Sequence, residues 1–143
     1  MRIEFSIRIF DIICIMKIAI NTKHGGFDLS EKAVLRYAEL AGIKVYKRQI
    51  YSSMIEWITI PLKEYKELLE TTGNLSLSGY TLNITRNDPI LIRVIEELGK
   101  ECNTDWSSIK VVEIPDDIEW EISCYDGVET VVEVLHRKPR QWS

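Results

Sequence analysis

Four groups of residues have types and spacing that could do chemistry. The first is Lys23-His24-Gly25-Gly26, followed by Phe27-Asp28. A glycine turn between a strand and a helix start exposes backbone N–H groups, which together with the helix dipole can hold a phosphate or carboxylate. Lys23 and His24 would add positive charge or donors. The run is neither G-x-G-x-x-G nor a Walker loop. An ordinary strand-to-helix turn needs the same glycines, and an Asp28 cap would compete with an anion for the same donors. The second group is Arg86 with Asn87: the guanidinium fork suits a carboxylate or phosphate, and Asn87 could read a base edge. The competing reading pairs Arg86 with an acidic neighbour and leaves Asn87-Asp88 to cap a helix.

The third group is acidic: Glu113, Asp116, Asp117, Glu119, Glu121, Asp126, Glu129 and Glu133, in a stretch 113–133 without Lys or Arg. Clustered carboxylates can bind a divalent cation or run acid–base chemistry. The spacing matches neither an EF-hand nor a two-metal site, and a solvated hairpin face explains it as well. Such a face would repel nucleic acid or fit a basic partner surface. The fourth group is His136-Arg137-Lys138-Pro139-Arg140 with Trp142. Cations beside an aromatic can stack on a base or grip a phosphate; in a homo-oligomer the same tail could reach a neighbour's acidic hairpin. Trp57, Trp106 and Trp120 read as core or interface anchors.

The cysteines, Cys14, Cys102 and Cys124, are odd in number and form no C-x-x-C pair, so neither a disulfide framework nor a zinc ribbon is indicated. They read as small packed hydrophobes. Neither His24 nor His136 sits in a nucleophile motif. No catalytic residue, resident metal or cofactor is assigned.

The elements that must position these groups follow from the chain's size and periodicity. The 143 residues, 45% hydrophobic and 28% charged, suffice for one domain with its own core. A net charge of −4 disfavours general nucleic-acid binding. Residues 1–16, MRIEFSIRIFDIICIM, are broken by Glu4, Arg8 and Asp11, so they form neither a signal h-region nor a membrane span. Ile3, Phe5, Ile7 and Ile9 alternate as in a strand, and Met16 looks like a fresh start. The expected organisation is an extension over 1–15, a globular domain over 16–137 and a basic tail over 138–143.

Residues 17–22 read as a strand. A helix follows with a capping box at Asp28 and Glu31 (Ser30 as the alternative cap) and closes at Gly42. A strand over 43–46 would complete a parallel strand–helix–strand unit. Residues 55–62 predict a strand, 63–71 a short helix, and 73–85 a loop or weak hairpin. Asp88-Pro89 starts a helix whose stripe is Ile90, Leu91, Val94, Ile95 and Leu98. A strand over 109–114 stops at Pro115, and Asp126-Gly127 predicts a hairpin between runs 120–125 and 128–135. The expectation is α+β, with about two main helices on a mixed β-sheet and a C-terminal Asp-Gly hairpin.

K-I-A-I-N…G-G-F-x-L-S, R-N-D-P-x-L-I-x-V-I-E-E-L-G and V-V-E-I-P-D-D…W-E-I…Y-D-G-x-E…V-x-E-V…H-R together resemble a family of small, uncharacterised proteins of tailed bacteriophages and prophages. The resemblance runs from Met16 to Trp142, with an irregular gap at 50–85 and its specific part in 86–137. It implies phage origin and work in a host cytoplasm, and supplies no activity or catalytic residues. The tail departs from the family's short H-R-x-W ending through Lys138-Pro139-Arg140-Gln141. The expectation is a non-enzymatic binding protein that sequesters a small anionic ligand such as a nucleotide, binds a host protein, or counters host defence. The candidate ligand residues are Lys23, His24, Gly25, Gly26, Arg86, Asn87, His136 and Arg137. Two rivals stand beside it: a divalent-metal hydrolase using Asp116, Asp117 and Glu119 with His136 as acid or base, and an acidic inhibitor of a host protein through Glu129 and Glu133.

Overall fold

The computed structural model describes residues 15–51, 54–74 and 77–135. Strand β1 (Ile15–Asn21) pairs antiparallel with β4 (Ile109–Pro115), placing Met16 opposite Ile114 and Ile20 opposite Lys110. Ile18, Ala19 and Ile20 are all buried, so this strand is covered on both faces. Helix α1 (Glu31–Ala41) buries Ala33, Val34, Tyr37 and Ala38, the spacing of one helical stripe. Helix α3 (Pro89–Leu98) buries Leu91, Ile92, Val94 and Ile95. With Ala19 and Cys102 these two stripes make the core.

Local chemistry sets the helix ends. Asp88 caps α3 by accepting from the Ile90 N–H at 2.8 Å, with Pro89 in the first turn. Its other carboxylate oxygen accepts from Tyr37 Oη at 2.5 Å, tying α3 to α1. Burial, and then this contact with Asp88, push the Tyr37 hydroxyl up to about 12. The cap of α1 is Ser30, whose Oγ accepts from the Ala33 N–H at 3.2 Å. Asp28, the first candidate for that role, stands outside the helix.

The strand expected over 43–46 does not form. Gly42 ends α1 in the left-handed conformation, and the Gly42 and Ile43 amides turn back onto α1 carbonyls. The next strand, β2, runs Tyr46–Tyr51 and pairs antiparallel with β3 (Met54–Ile58). So short a connection suits only an antiparallel pair, and the parallel unit is replaced by a hairpin. Helix α2 (Leu62–Thr72) buries Tyr65, whose hydroxyl accepts from the Leu77 amide. Of the described residues, 73–74 and 77–85 are mostly loop, with a 3-10 turn at Ser78–Tyr80 and a bridge from Thr81 to Ile58.

Strands β5 (Trp120–Tyr125) and β6 (Val128–Glu133) form the Asp-Gly hairpin, with positive φ at both Asp126 and Gly127. The fold is α+β: the described residues hold three α-helices and three two-stranded antiparallel sheets, rather than two helices on one mixed sheet. No helix among the described residues is long and apolar enough to cross a membrane.

Candidate functional site

Arg86 and Glu129 join the segment before α3 to the β5–β6 hairpin. Arg86 Nη1 and Nη2 donate to Glu129 Oε1 and Oε2 at 2.6 and 2.9 Å, a bidentate pair. Glu129 Oε1 also accepts from the Asn21 N–H at 2.8 Å. The Glu129 side chain is only 8% exposed and that of Arg86 24%. Burial alone would raise the Glu129 pKa, but the hydrogen bonds from Arg86 and Asn21, with the guanidinium charge, hold it below the usual range. The guanidinium lies 3.6 Å from the centre of the Phe27 ring. The Arg86 backbone carbonyl accepts from the Ala19 amide, so this residue caps the edge of β1 that β4 leaves open.

The same junction absorbs the glycine turn. The Asn21 side chain donates to the carbonyls of Lys23 and Gly127 and accepts from the Ser108 amide. A Cβ at Gly127 would stand 2.5 Å from the Gly25 nitrogen and 2.6 Å from the Gly26 nitrogen, and one at Gly25 would stand 2.4 Å from the Trp106 carbonyl oxygen. The turn is therefore packed between the hairpin tip and the loop carrying Trp106, and the tip covers the amides that an anion would need. Lys23 Nζ donates to the Asp105 carbonyl at 2.7 Å, and His24 Nδ1 lies 3.0 Å from the Asp126 carbonyl.

On the other side of Arg86 is an open groove of about 440 Å³. Its walls come from β2 and β3 (Ile50, Met54, Ile55, Trp57), the segment 81–86 (Leu82, Ile84) and the approach to α1 (Phe27, Leu29). Ile50, Met54 and Ile55 are exposed hydrophobics. Three charged side chains line it: Asp28, Glu56 and Arg86. Glu56 is bridged by Arg48 and accepts from Thr81 Oγ1, and Arg86 is held by Glu129. Asp28 is exposed at the rim. Desolvation by the wall raises its carboxyl pKa, opposed by a hydrogen bond from the Leu29 amide.

The structure thus brings Lys23, His24, Gly25 and Gly26 to one end of the Arg86–Glu129 junction. Asn87 is exposed in the turn before Asp88. His136 and Arg137 lie outside the described residues. Asp116 and Asp117 sit in the exposed turn between β4 and β5, with Glu119 exposed beside them, and among the described residues no three acidic, His or Cys side chains converge as a metal site would require. Glu129, expected on a solvated hairpin face with Glu133, is instead buried against Arg86. Sequence reasoning missed Asn21 and Glu129 as partners of the turn and of Arg86. It also missed the groove, whose only local signal is the exposed apolar run around Ile50, Met54 and Ile55. Comparison with protein-family models, curated proteins and solved structures finds no match to this chain.

Proposed function

We propose that this chain is a binding protein that captures an apolar portion of a ligand in the groove between the β2–β3 hairpin, the 81–86 segment and Phe27-Asp28-Leu29. One observation carries the reading: a concave surface of about 440 Å³, within the usual size range of ligand sites, is lined by apolar side chains and leaves several exposed. The polar groups beneath it are paired within the chain, so the site is preformed. A small-anion site at the Gly25-Gly26 turn has less support, because the hairpin tip occupies that position and Arg86 already holds a carboxylate. Work in a host cytoplasm during phage infection remains part of the proposal and rests on the sequence resemblance.

Burying one aromatic ring, on the order of 100 Å² of apolar surface, contributes about 2.5 kcal/mol before the costs of association. Simple aromatic probes should therefore bind weakly, with a Kd of roughly ten millimolar or above. The test is amide-resolved NMR titration with phenylbutanol. Shifts around Leu82 and Ile84 that vanish in Ile55→Glu, an exposed position where a charge leaves the fold intact, are expected. Equal shifts in wild type and variant would refute the reading.

A second reading has its own observation. Asp116, Asp117, Glu119, Glu121 and Glu133 are all exposed, in a stretch free of basic residues. That face fits a basic protein surface, and salt-sensitive capture of a host protein that survives charge reversal at Glu121 and Glu133 would sink it.

A further inference from the structure

The charges around the groove say which ligand it prefers. Five charged side chains lie in or directly behind its wall: Asp28, Glu56 and Arg86 line it, Arg48 bridges Glu56, and Glu129 pairs with Arg86. The two arginines are matched by Glu56 and Glu129, and among the described residues no ion pair forms to the third carboxylate, Asp28. Its carboxylate accepts from the neighbouring Leu29 amide, and the wall already desolvates it enough to raise its pKa. Asn83, exposed on the same rim, adds a neutral amide. An anionic head would meet Asp28 and would have to displace Glu129 from Arg86, where two short hydrogen bonds and the Asn21 amide hold it.

Resting on the binding role proposed above, we infer that the groove takes a small amphiphile with an apolar or aromatic body and one cationic head, the head seated against the Asp28 carboxylate. The body lies on Leu82, Ile84, Ile55 and Trp57. An ammonium head relieves the cost of the partly desolvated carboxylate, and binding lowers the pKa of Asp28. Guest affinity therefore falls as pH drops and Asp28 is protonated.

The experiment uses three probes with one body and different heads: phenylbutylamine, phenylbutanol and phenylbutyrate, each titrated into the full chain by amide-resolved NMR at neutral pH. The amine is expected to bind roughly fivefold tighter than the alcohol, the scale of one exposed ion pair, with the carboxylate weakest. Asp28→Asn is expected to bring the amine to the level of the alcohol while leaving alcohol binding unchanged. If the alcohol binds in the groove and the amine gains nothing, or the gain survives Asp28→Asn, this inference is overturned and the groove reading stands. If none of the three shifts groove amides, the groove reading itself falls.

Discussion

Cutting the Arg86–Glu129 pair from either side should cost unequal amounts. Removing one member of a buried ion pair costs about 3–5 kcal/mol, because the survivor is stranded. Arg86→Met strands Glu129, whose side chain is 8% exposed and keeps, among the described residues, the Asn21 amide as its remaining donor. Glu129→Leu strands Arg86, whose side chain is 24% exposed and keeps the Phe27 ring and the Ala19 carbonyl. We expect about 4 kcal/mol for Arg86→Met and about 3 kcal/mol for Glu129→Leu, roughly 10 °C or more in Tm for a chain of this size. The double variant should cost far less than the sum, since removing both partners removes the stranded charge, which gives a coupling of about 2–3 kcal/mol. Urea unfolding of the four proteins measures it. Additivity within about 0.5 kcal/mol would refute the assignment of this pair as the organising contact.

Three further outcomes follow from the same contacts. Glu129 has a depressed folded-state pKa, so its stabilisation is complete above the ordinary glutamate value of 4.5 and is lost as pH falls through the lower folded value. Acid unfolding followed by circular dichroism should show a step in wild type that Arg86→Met/Glu129→Leu lacks; an unchanged acid profile would contradict this. Gly127→Ala forces a Cβ against the Gly25 and Gly26 nitrogens at positive φ, and thermal melting should show a loss of about 2 kcal/mol or more, whereas a neutral result would mean the turn is not held there. Tyr37 is raised from 10.0 to about 12, so its stabilisation is full below 10 and is lost as pH rises toward 12. Ultraviolet titration should find a late-titrating component in wild type that Tyr37→Phe removes and Asp88→Ala shifts down, the latter with a loss of about 1 kcal/mol of helix capping; a titration curve that Tyr37→Phe leaves unchanged at its late end would refute it.

What the sequence showed was local. Asp88-Pro89 marked the start of α3 because a cap and a proline act within one turn, and Asp126-Gly127 marked the hairpin because both turn positions require positive φ. The α1 cap was misplaced by two residues because Asp28 and Ser30 carry equivalent oxygens, and only the path of the chain selects between them. The parallel pairing expected for 43–46 failed because the helix end consumed the residues that the strand would have used. The junction itself was illegible: Arg86 and Glu129 are 43 residues apart, and Asn21 and Glu129 are 108 apart, so no window of sequence contains either contact. Glu129 looked like one more carboxylate of an acidic hairpin, and only its burial sets it apart. The groove has the same origin, with walls drawn from three segments that lie far apart in the chain.

The most direct test of a preformed apolar binding groove is the amide map of the full chain titrated with phenylbutanol. Saturable shifts confined to Phe27-Leu29, Ile55-Trp57 and Leu82-Ile84 are the predicted result. Shifts scattered over the surface, or concentrated on the hairpin β5–β6, would contradict it.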